Sequence, residues 1–155
     1  MTHLTKTATA AMILAAVMKL VSCTPESCLE KTDANIKAPF YLNTAKTAKA
    51  PDSLTVYGLN TGQLKIYNSA KNVTRAELPL NPVQKSCGFV LKINGTPDTI
   101  SMFYNSYPHL ISIECGYTYY FTIDSVIYSH NLIDTVIIRN PFVTTADEEN
   151  IRIYY

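Results

Sequence analysis

Residues 37–155 predict an all-β fold, an antiparallel β-sandwich of immunoglobulin-like or related type, with a small β-barrel as the alternative. Three observations carry that prediction. Apolar residues recur with a period of two, no helical period follows residue 23, and turn-forming sequences separate the alternating runs. Together they give about nine or ten short strands, and their uneven lengths with a proline-marked corner favour a sandwich over a barrel. No internal repeat of propeller or solenoid type is present.

Taken in order, Thr24 to Asp52 is rich in Pro, Lys, Ala and Thr, with one apolar cluster at Phe40, Tyr41 and Leu42, which reads as a tether followed by an edge strand. Leu54 and Val56 then alternate with Thr55 and Tyr57. Asn60-Thr61-Gly62 offers a turn, and Leu64 and Ile66 alternate with Lys65 and Tyr67, so a hairpin is predicted. Val73 to Leu80 runs into Leu78-Pro79-Leu80-Asn81-Pro82, and two prolines confine it to an edge or corner. The clearest hairpin places Phe89, Leu91 and Ile93 on one face, turns at Asn94-Gly95, and resumes with Ile100, Met102 and Tyr104; Lys92 and Ser101 face solvent.

From Ile111 to Ile123 every odd position is apolar or aromatic. A one-residue slip would move that whole set into water, so a single long strand is predicted, bent at Gly116 and central to the core. Val126 to Tyr128 and Leu132 to Arg139 read as two further strands around a turn at Ser129 to Asn131. An acidic loop, Asp147-Glu148-Glu149-Asn150, precedes a last strand with Ile151, Ile153 and Tyr155 on one face.

The first 22 residues have another character. A weakly basic start, with His3 and Lys6, leads into an apolar run from Ala8 to Met18 and then into Leu20-Val21-Ser22-Cys23, the layout of a bacterial lipoprotein signal with its lipobox. That run is too short for a permanent span, which needs about 20 apolar residues. Domain organisation is therefore read as a signal peptide over 1–22, a lipidated tether over 23–36 and a single β-sandwich over 37–155. Cys23 is the expected lipidation site, and two or more acyl chains make such anchoring stable where one is marginal.

Residues 1–22 contain Lys6 and Lys19 and no acid, so the remaining 133 residues carry 11 basic against 12 acidic side chains. Without a basic cluster the electrostatic footprint of nucleic-acid binding is missing, and no nucleic-acid partner is expected. Three cysteines follow Cys23, namely Cys28, Cys87 and Cys115. An exported chain meets an oxidising compartment, so one disulfide and one spare thiol are expected; three pairings are open and spacing does not choose among them. No CxxC occurs and no cysteine lies beside a histidine at ligand spacing, which argues against zinc.

Catalytic constellations are sparse. Asp124, Ser125 and His130 contain the residue types of a hydrolytic triad, but no nucleophile elbow surrounds Ser125, and adjacent residues of a strand point to opposite faces. The acidic run Asp147 to Asn150 matches no calcium loop and reads as a solvated turn. Eleven tyrosines and no tryptophan are present. Tyrosine suits half-buried strand faces with a wet edge, and Tyr57, Tyr120 and Tyr154, off the expected core face, are candidates for a contact patch. No catalytic residue, metal or cofactor is expected.

Leu78-Pro79-Leu80-Asn81 and Cys115-Gly116-Tyr117, with a second cysteine soon after Cys23, resemble the motifs of an uncharacterised family of small Bacteroidetes lipoproteins. The resemblance covers most of the mature chain and implies a Cys28 to Cys115 disulfide, a spare thiol at Cys87 and an outer-membrane address. More loosely, it implies a membrane β-barrel as partner; it brings no catalytic residues. Four aspartates are followed by Ser or Thr and an aliphatic residue, placing Ser53, Thr99, Ser125 and Thr135 in sequences that resemble the periplasmic O-glycosylation acceptor motif of Bacteroidetes. The alternative is that Asp-Ser/Thr-aliphatic is how a turn hands over to a strand. The functional expectation is a non-enzymatic accessory or binding lipoprotein, anchored at the outer membrane and facing the periplasm. A small hydrolase or glycan-processing enzyme and an adhesin or pilus-like subunit are the alternatives.

Overall fold

The computed structural model describes residues 28–61 and 64–155. The signal-like segment, the lipobox with Cys23, and Gly62 of the first hairpin turn lie outside the described residues. Ten strands follow one another: β1 (Ile36–Tyr41), β2 (Leu54–Gly58), β3 (Lys65–Ala70), β4 (Arg75–Leu78), β5 (Ser86–Ile93), β6 (Thr96–Ser112), β7 (Gly116–Tyr128), β8 (Thr135–Ile138), β9 (Phe142–Val143) and β10 (Ile151–Tyr154). They build two sheets, one ordered β4-β1-β10-β8 and the other β3-β2-β5-β6-β7-β9, and one of the two is curled into a half-barrel. All strand pairs are antiparallel except β1 with β10.

The β5–β6 hairpin follows directly from its turn. Asn94 and Gly95 both take positive φ, 52° and 91°, the left-handed pair whose twist matches that of antiparallel strands. Pairing of Ile93 with Thr96 and of Phe89 with Ile100 then puts Phe89, Leu91, Ile93, Ile100, Met102 and Tyr104 on one face. All six are buried, in the same cluster as Ile36, Phe40, Ile151 and Ile153 of the facing sheet.

Several elements differ from the sequence reading. The strand expected at an edge around Phe40 is β1, which lies between β4 and β10. Ile36, Ala38 and Phe40 are fully buried, and the small Ala38 beside Pro39 disguises their alternation as linker. In β3, Leu64 and Ile66 are exposed while Tyr67 packs on the core, because register shifts interrupt the β2–β3 ladder and set Tyr67 opposite Val56.

The single strand expected from Ile111 to Ile123 is instead a hairpin. Ile111 belongs to the end of β6, which closes at Ser112, residues 113–115 turn, and β7 begins at Gly116 with φ 72°. A Cβ there would meet nothing, so it is backbone conformation rather than space that favours glycine. Only Phe121 and Ile123 of the predicted odd face are buried. β7 lies next to the edge strand β9, and the sheet centre belongs to β5 and β6. Phe103 pairs with Ser125 but Tyr104 with Ile123, leaving Asp124 as an extra residue. That bulge carries the core face from odd Phe121 and Ile123 to even Val126 and Tyr128, so Val126 to Tyr128 continues β7.

Two buried polar side chains hold the places where the chain changes sheet. Asp98, at the start of β6, is 1% exposed, and its carboxylate accepts hydrogen bonds from the Ser129 hydroxyl at 2.5 Å and from the backbone N–H groups of Asn131, Leu132 and Ile133 at 2.8, 2.7 and 3.0 Å. It thereby organises the crossing from β7 to β8. Asn150 accepts from the Lys37 N–H at 3.0 Å and donates to the carbonyls of Asn140 and Phe142, joining β1 to the approach of β10.

A disulfide joins Cys28 to Cys115, with Cα atoms 4.8 Å apart. Cys87 is free. The Thr118 hydroxyl donates to the Thr32 carbonyl at 2.6 Å, so the segment after Cys28 lies along the β6–β7 hairpin.

Replacing both Cys28 and Cys115 by alanine is expected to lower stability by about 2–4 kcal/mol in a denaturant titration, as for a cross-link closing a long loop. Burial by itself pushes the Asp98 carboxyl up, but the donors, Ser129 foremost, outweigh it and hold the group below the usual carboxylate range. A depressed folded pKa stabilises fully above the unfolded value of about 3.9 and loses that contribution as pH falls through the folded value. Asp98→Asn should therefore cost about 2–4 kcal/mol at neutral pH, since backbone donors lose a charged acceptor. Its stability should fall less steeply than the parent's below about pH 4. Thermal melts across pH 2–7 measure both effects.

Candidate functional site

A groove of about 600 Å³ lies where the β2–β3 loop, the β4–β5 connection and strands β5 and β6 meet. Its walls begin with two glycines. At Gly88 a Cβ would stand 2.5 Å from Leu59 Cδ1, and at Gly58 it would stand 2.8 Å from Thr61 Cγ2. Glycine at both positions lets the loop fold onto the sheet. The Leu59 N–H donates to the Gly88 carbonyl at 2.7 Å, and the Thr61 hydroxyl to the Gly58 carbonyl at 2.8 Å.

The opposite wall is the proline corner. Tyr104 is buried in the core, and its hydroxyl reaches Asn81, accepting from that residue's N–H at 3.2 Å and donating to its carbonyl at 3.0 Å. The Asn81 side chain accepts from the Val83 N–H, and the Ser106 hydroxyl donates to the Pro82 carbonyl at 2.7 Å. Leu78-Pro79-Leu80-Asn81 is thus a corner pinned by a core tyrosine, and Pro79, Asn81 and Gln84 face the groove.

Cys87 also lines it. Burial pushes its thiol up to about 11, with a hydrogen bond to Tyr104 working in the opposite direction. Burial also raises Tyr104, so both groups are neutral at physiological pH. The remaining polar lining consists of amides and hydroxyls, including Asn60, Gln84, Ser86 and Ser101, beside Leu59, Ile66, Phe89 and Phe103. Such a surface can hold an apolar group and orient it through neutral hydrogen bonds.

The triad residue types stand elsewhere. Asp124, the bulged residue, accepts from the Asn105 amide at 2.8 Å; His130 packs on Tyr128 with ring centroids 4.7 Å apart; His109 stacks on Tyr120 at 4.1 Å. Neither histidine lines the groove. In the acidic loop Asp147 pairs with Arg75 at 2.7 Å, Glu148 accepts from Asn140, and Glu149 takes the Arg152 guanidinium in two bonds of 2.7 and 2.9 Å. Among the described residues no cluster of three or more His, Cys, Asp or Glu side chains is placed to hold a metal ion.

Of the Asp-Ser/Thr sequences, Ser125 is exposed on β7, whereas Ser53, Thr99 and Thr135 are half-buried. Asp98 before Thr99 is the buried carboxylate of the sheet crossing, so that copy has a structural role. Tyr57, Tyr120 and Tyr154 form no common patch. Tyr154 is buried, Tyr120 packs on the core, and the exposed tyrosines are Tyr107, Tyr117 and Tyr119 of the β6–β7 hairpin. The groove itself was not read from the sequence; its signals were the two in-strand glycines.

At pH 8, Cys87 should react with iodoacetamide on the order of a hundredfold more slowly than an unperturbed thiol, because its thiolate fraction is smaller by more than that factor. Mass spectrometry of the native protein, with the disulfide intact, measures the rate. Labelling as fast as for a free cysteine would contradict the placement of this thiol.

No curated protein and no solved structure matches the chain. A family model covers residues 53–155, from the start of β2 to the last residue, and so includes the whole groove, the proline corner and the hairpin that carries Cys115. By that match the chain belongs to the Family of unknown function (DUF6452).

Proposed function

We propose that this protein is a non-enzymatic binding module of the cell envelope, a Bacteroidetes lipoprotein held to the outer membrane through acylated Cys23, that docks an envelope partner over the Cys87 groove. The single observation that carries the reading is the lining of that groove. Aliphatic and aromatic surface is mixed with amides, hydroxyls and a protonated thiol, without a carboxylate, histidine, lysine or arginine among the described lining residues. A neutral pocket of this kind suits the apolar side chain of a protein partner, for which a membrane β-barrel protein of the same envelope is the proposed source. The lipobox supports the address; some lipoproteins of the kind this chain resembles reach the cell surface through a run of acids just after the cysteine, and the single acid in Cys23-Thr24-Pro25-Glu26-Ser27 supports a periplasm-facing orientation instead.

Two measurements test this. Metabolic labelling with an alkyne fatty acid should mark the wild-type chain and not Cys23→Ser, and globomycin should cause the unprocessed form to accumulate. A photo-crosslinking residue at Ser86 should give one discrete adduct in intact cells, and the same residue at the exposed Ile127 should give none. Ser101→Trp, which fills the groove, should abolish the adduct while leaving the melting temperature within a few degrees. Absence of an adduct at Ser86, or one that survives Ser101→Trp, would remove the groove as the docking site.

A further inference from the structure

The β6–β7 hairpin reaches past the core and ends in an unusually greasy tip. Leu110, Ile113, Tyr117 and Tyr119 are 47%, 91%, 75% and 45% exposed. From Leu110 to Tyr120 the only Asp, Glu, Lys or Arg is Glu114, in the turn. Isolated exposed apolar residues are ordinary, but four gathered on one protruding loop mark a surface meant to be covered.

The covalent geometry says what covers it. Cys115 at this tip is bonded to Cys28, five residues after Cys23. Without that bond the first core residue to restrain the N-terminal segment would be Ala34 or Ile36 of the sheet opposite the hairpin, and a fully extended chain from Cys23 to Ile36 spans about 45 Å. With it Cys23 lies at most about 18 Å from Cys28, whose Cα is 4.8 Å from that of Cys115 at the hairpin tip, so the whole span is at most about 23 Å. The Thr118 to Thr32 hydrogen bond keeps the next stretch of chain against the hairpin as well. The disulfide thus shortens the leash between Cys23 and the apolar tip to about half of what the chain to Ile36 would allow.

We propose that the β6–β7 tip seats in the headgroup region of the bilayer to which the chain is tethered, so that the domain has a fixed orientation on the membrane rather than hanging from a free leash. The inference rests on acylation at Cys23. Tyrosine is the residue type enriched at that depth, where the ring is half dehydrated and the hydroxyl stays wet. Ile113 and Leu110 supply the apolar contact. Glu114 limits the depth, since a carboxylate is costly in hydrocarbon and tolerated among headgroups.

The chain has no tryptophan, so one introduced indole is an unambiguous reporter. Acylated full-length protein carrying Ile113→Trp, or independently Tyr117→Trp, is reconstituted on phosphatidylethanolamine–phosphatidylglycerol vesicles with and without brominated acyl chains. Ile127→Trp, about 30 Å farther along β7, serves as the reference. The tip reporters should shift to the blue on binding and be quenched by bromine, with the shift reduced once the disulfide is reduced; the Ile127→Trp emission should stay as in water. Tip reporters that emit as in solution on vesicles that carry the acylated protein, or quenching equal to that at Ile127→Trp, overturn the seating alone. Protein that lacks acyl chains by mass and fails to float with the vesicles overturns the seating and the tether together.

Discussion

The structure depends on one packing constraint: the apolar face of the β5–β6 hairpin has to be covered, and the β1–β10 pair of the opposite sheet covers it. Leu91, Ile93, Ile100 and Met102 from one side and Ile36, Phe40, Ile151 and Ile153 from the other are all fully buried in one cluster. Each such side chain contributes about 1.5–3 kcal/mol on leaving water, so any register that turned one of these strands over would forfeit several such contributions at once. The first and last strands of the domain are neighbours for this reason. Their parallel pairing, unusual in an otherwise antiparallel fold, places two apolar strands side by side at the centre of the covering sheet.

Because the chain passes repeatedly between the sheets, the crossings expose backbone groups that a regular ladder would satisfy. Asp98, Asn150 and the Tyr104 hydroxyl take up these groups, each from within or beside the core. Buried polar groups of this kind are tolerated because they are bonded, and among the described residues no buried side-chain nitrogen or oxygen lacks a partner. The same residues shape the surface. Tyr104 holds the corner that walls the groove, and Asp98 holds the loop leading to β8.

Two surfaces remain outside this economy of core and crossings. The groove is held open by glycines that let the β2–β3 loop lie down on β5, and its neutral lining is suited to recognition of an apolar group. The hairpin tip lies beyond the core, paired to its last residues and tied to Cys28 by the disulfide. The proposed docking face and the proposed membrane-seated tip, on one small domain, would together allow a partner to be met in a defined orientation, which a flexible tether alone does not provide.

Alternation of side chains along a strand is a local property, and it was enough to determine the all-β class, the β5–β6 hairpin with its Asn94-Gly95 turn, the edge position of the Pro79 segment and a last strand led by Ile151 and Ile153. The motif resemblance supplied the Cys28 to Cys115 pairing, which spacing by itself left open. Tertiary structure alone decided where alternation breaks. The unbroken pattern from Ile111 to Ile123 conceals a turn, since residues beyond the core can keep a period of two without any face to bury. The bulge at Asp124 reverses parity because an extra residue shows only when the partner strand is in place. Gly88 signals a close approach without naming what approaches, and Asp98 has no local mark of its buried role. The donors that surround Asp98 come from residues 31 to 35 positions away, and the side chain that occupies the space at Gly88 comes from Leu59, so their roles exist only once the chain has closed on itself.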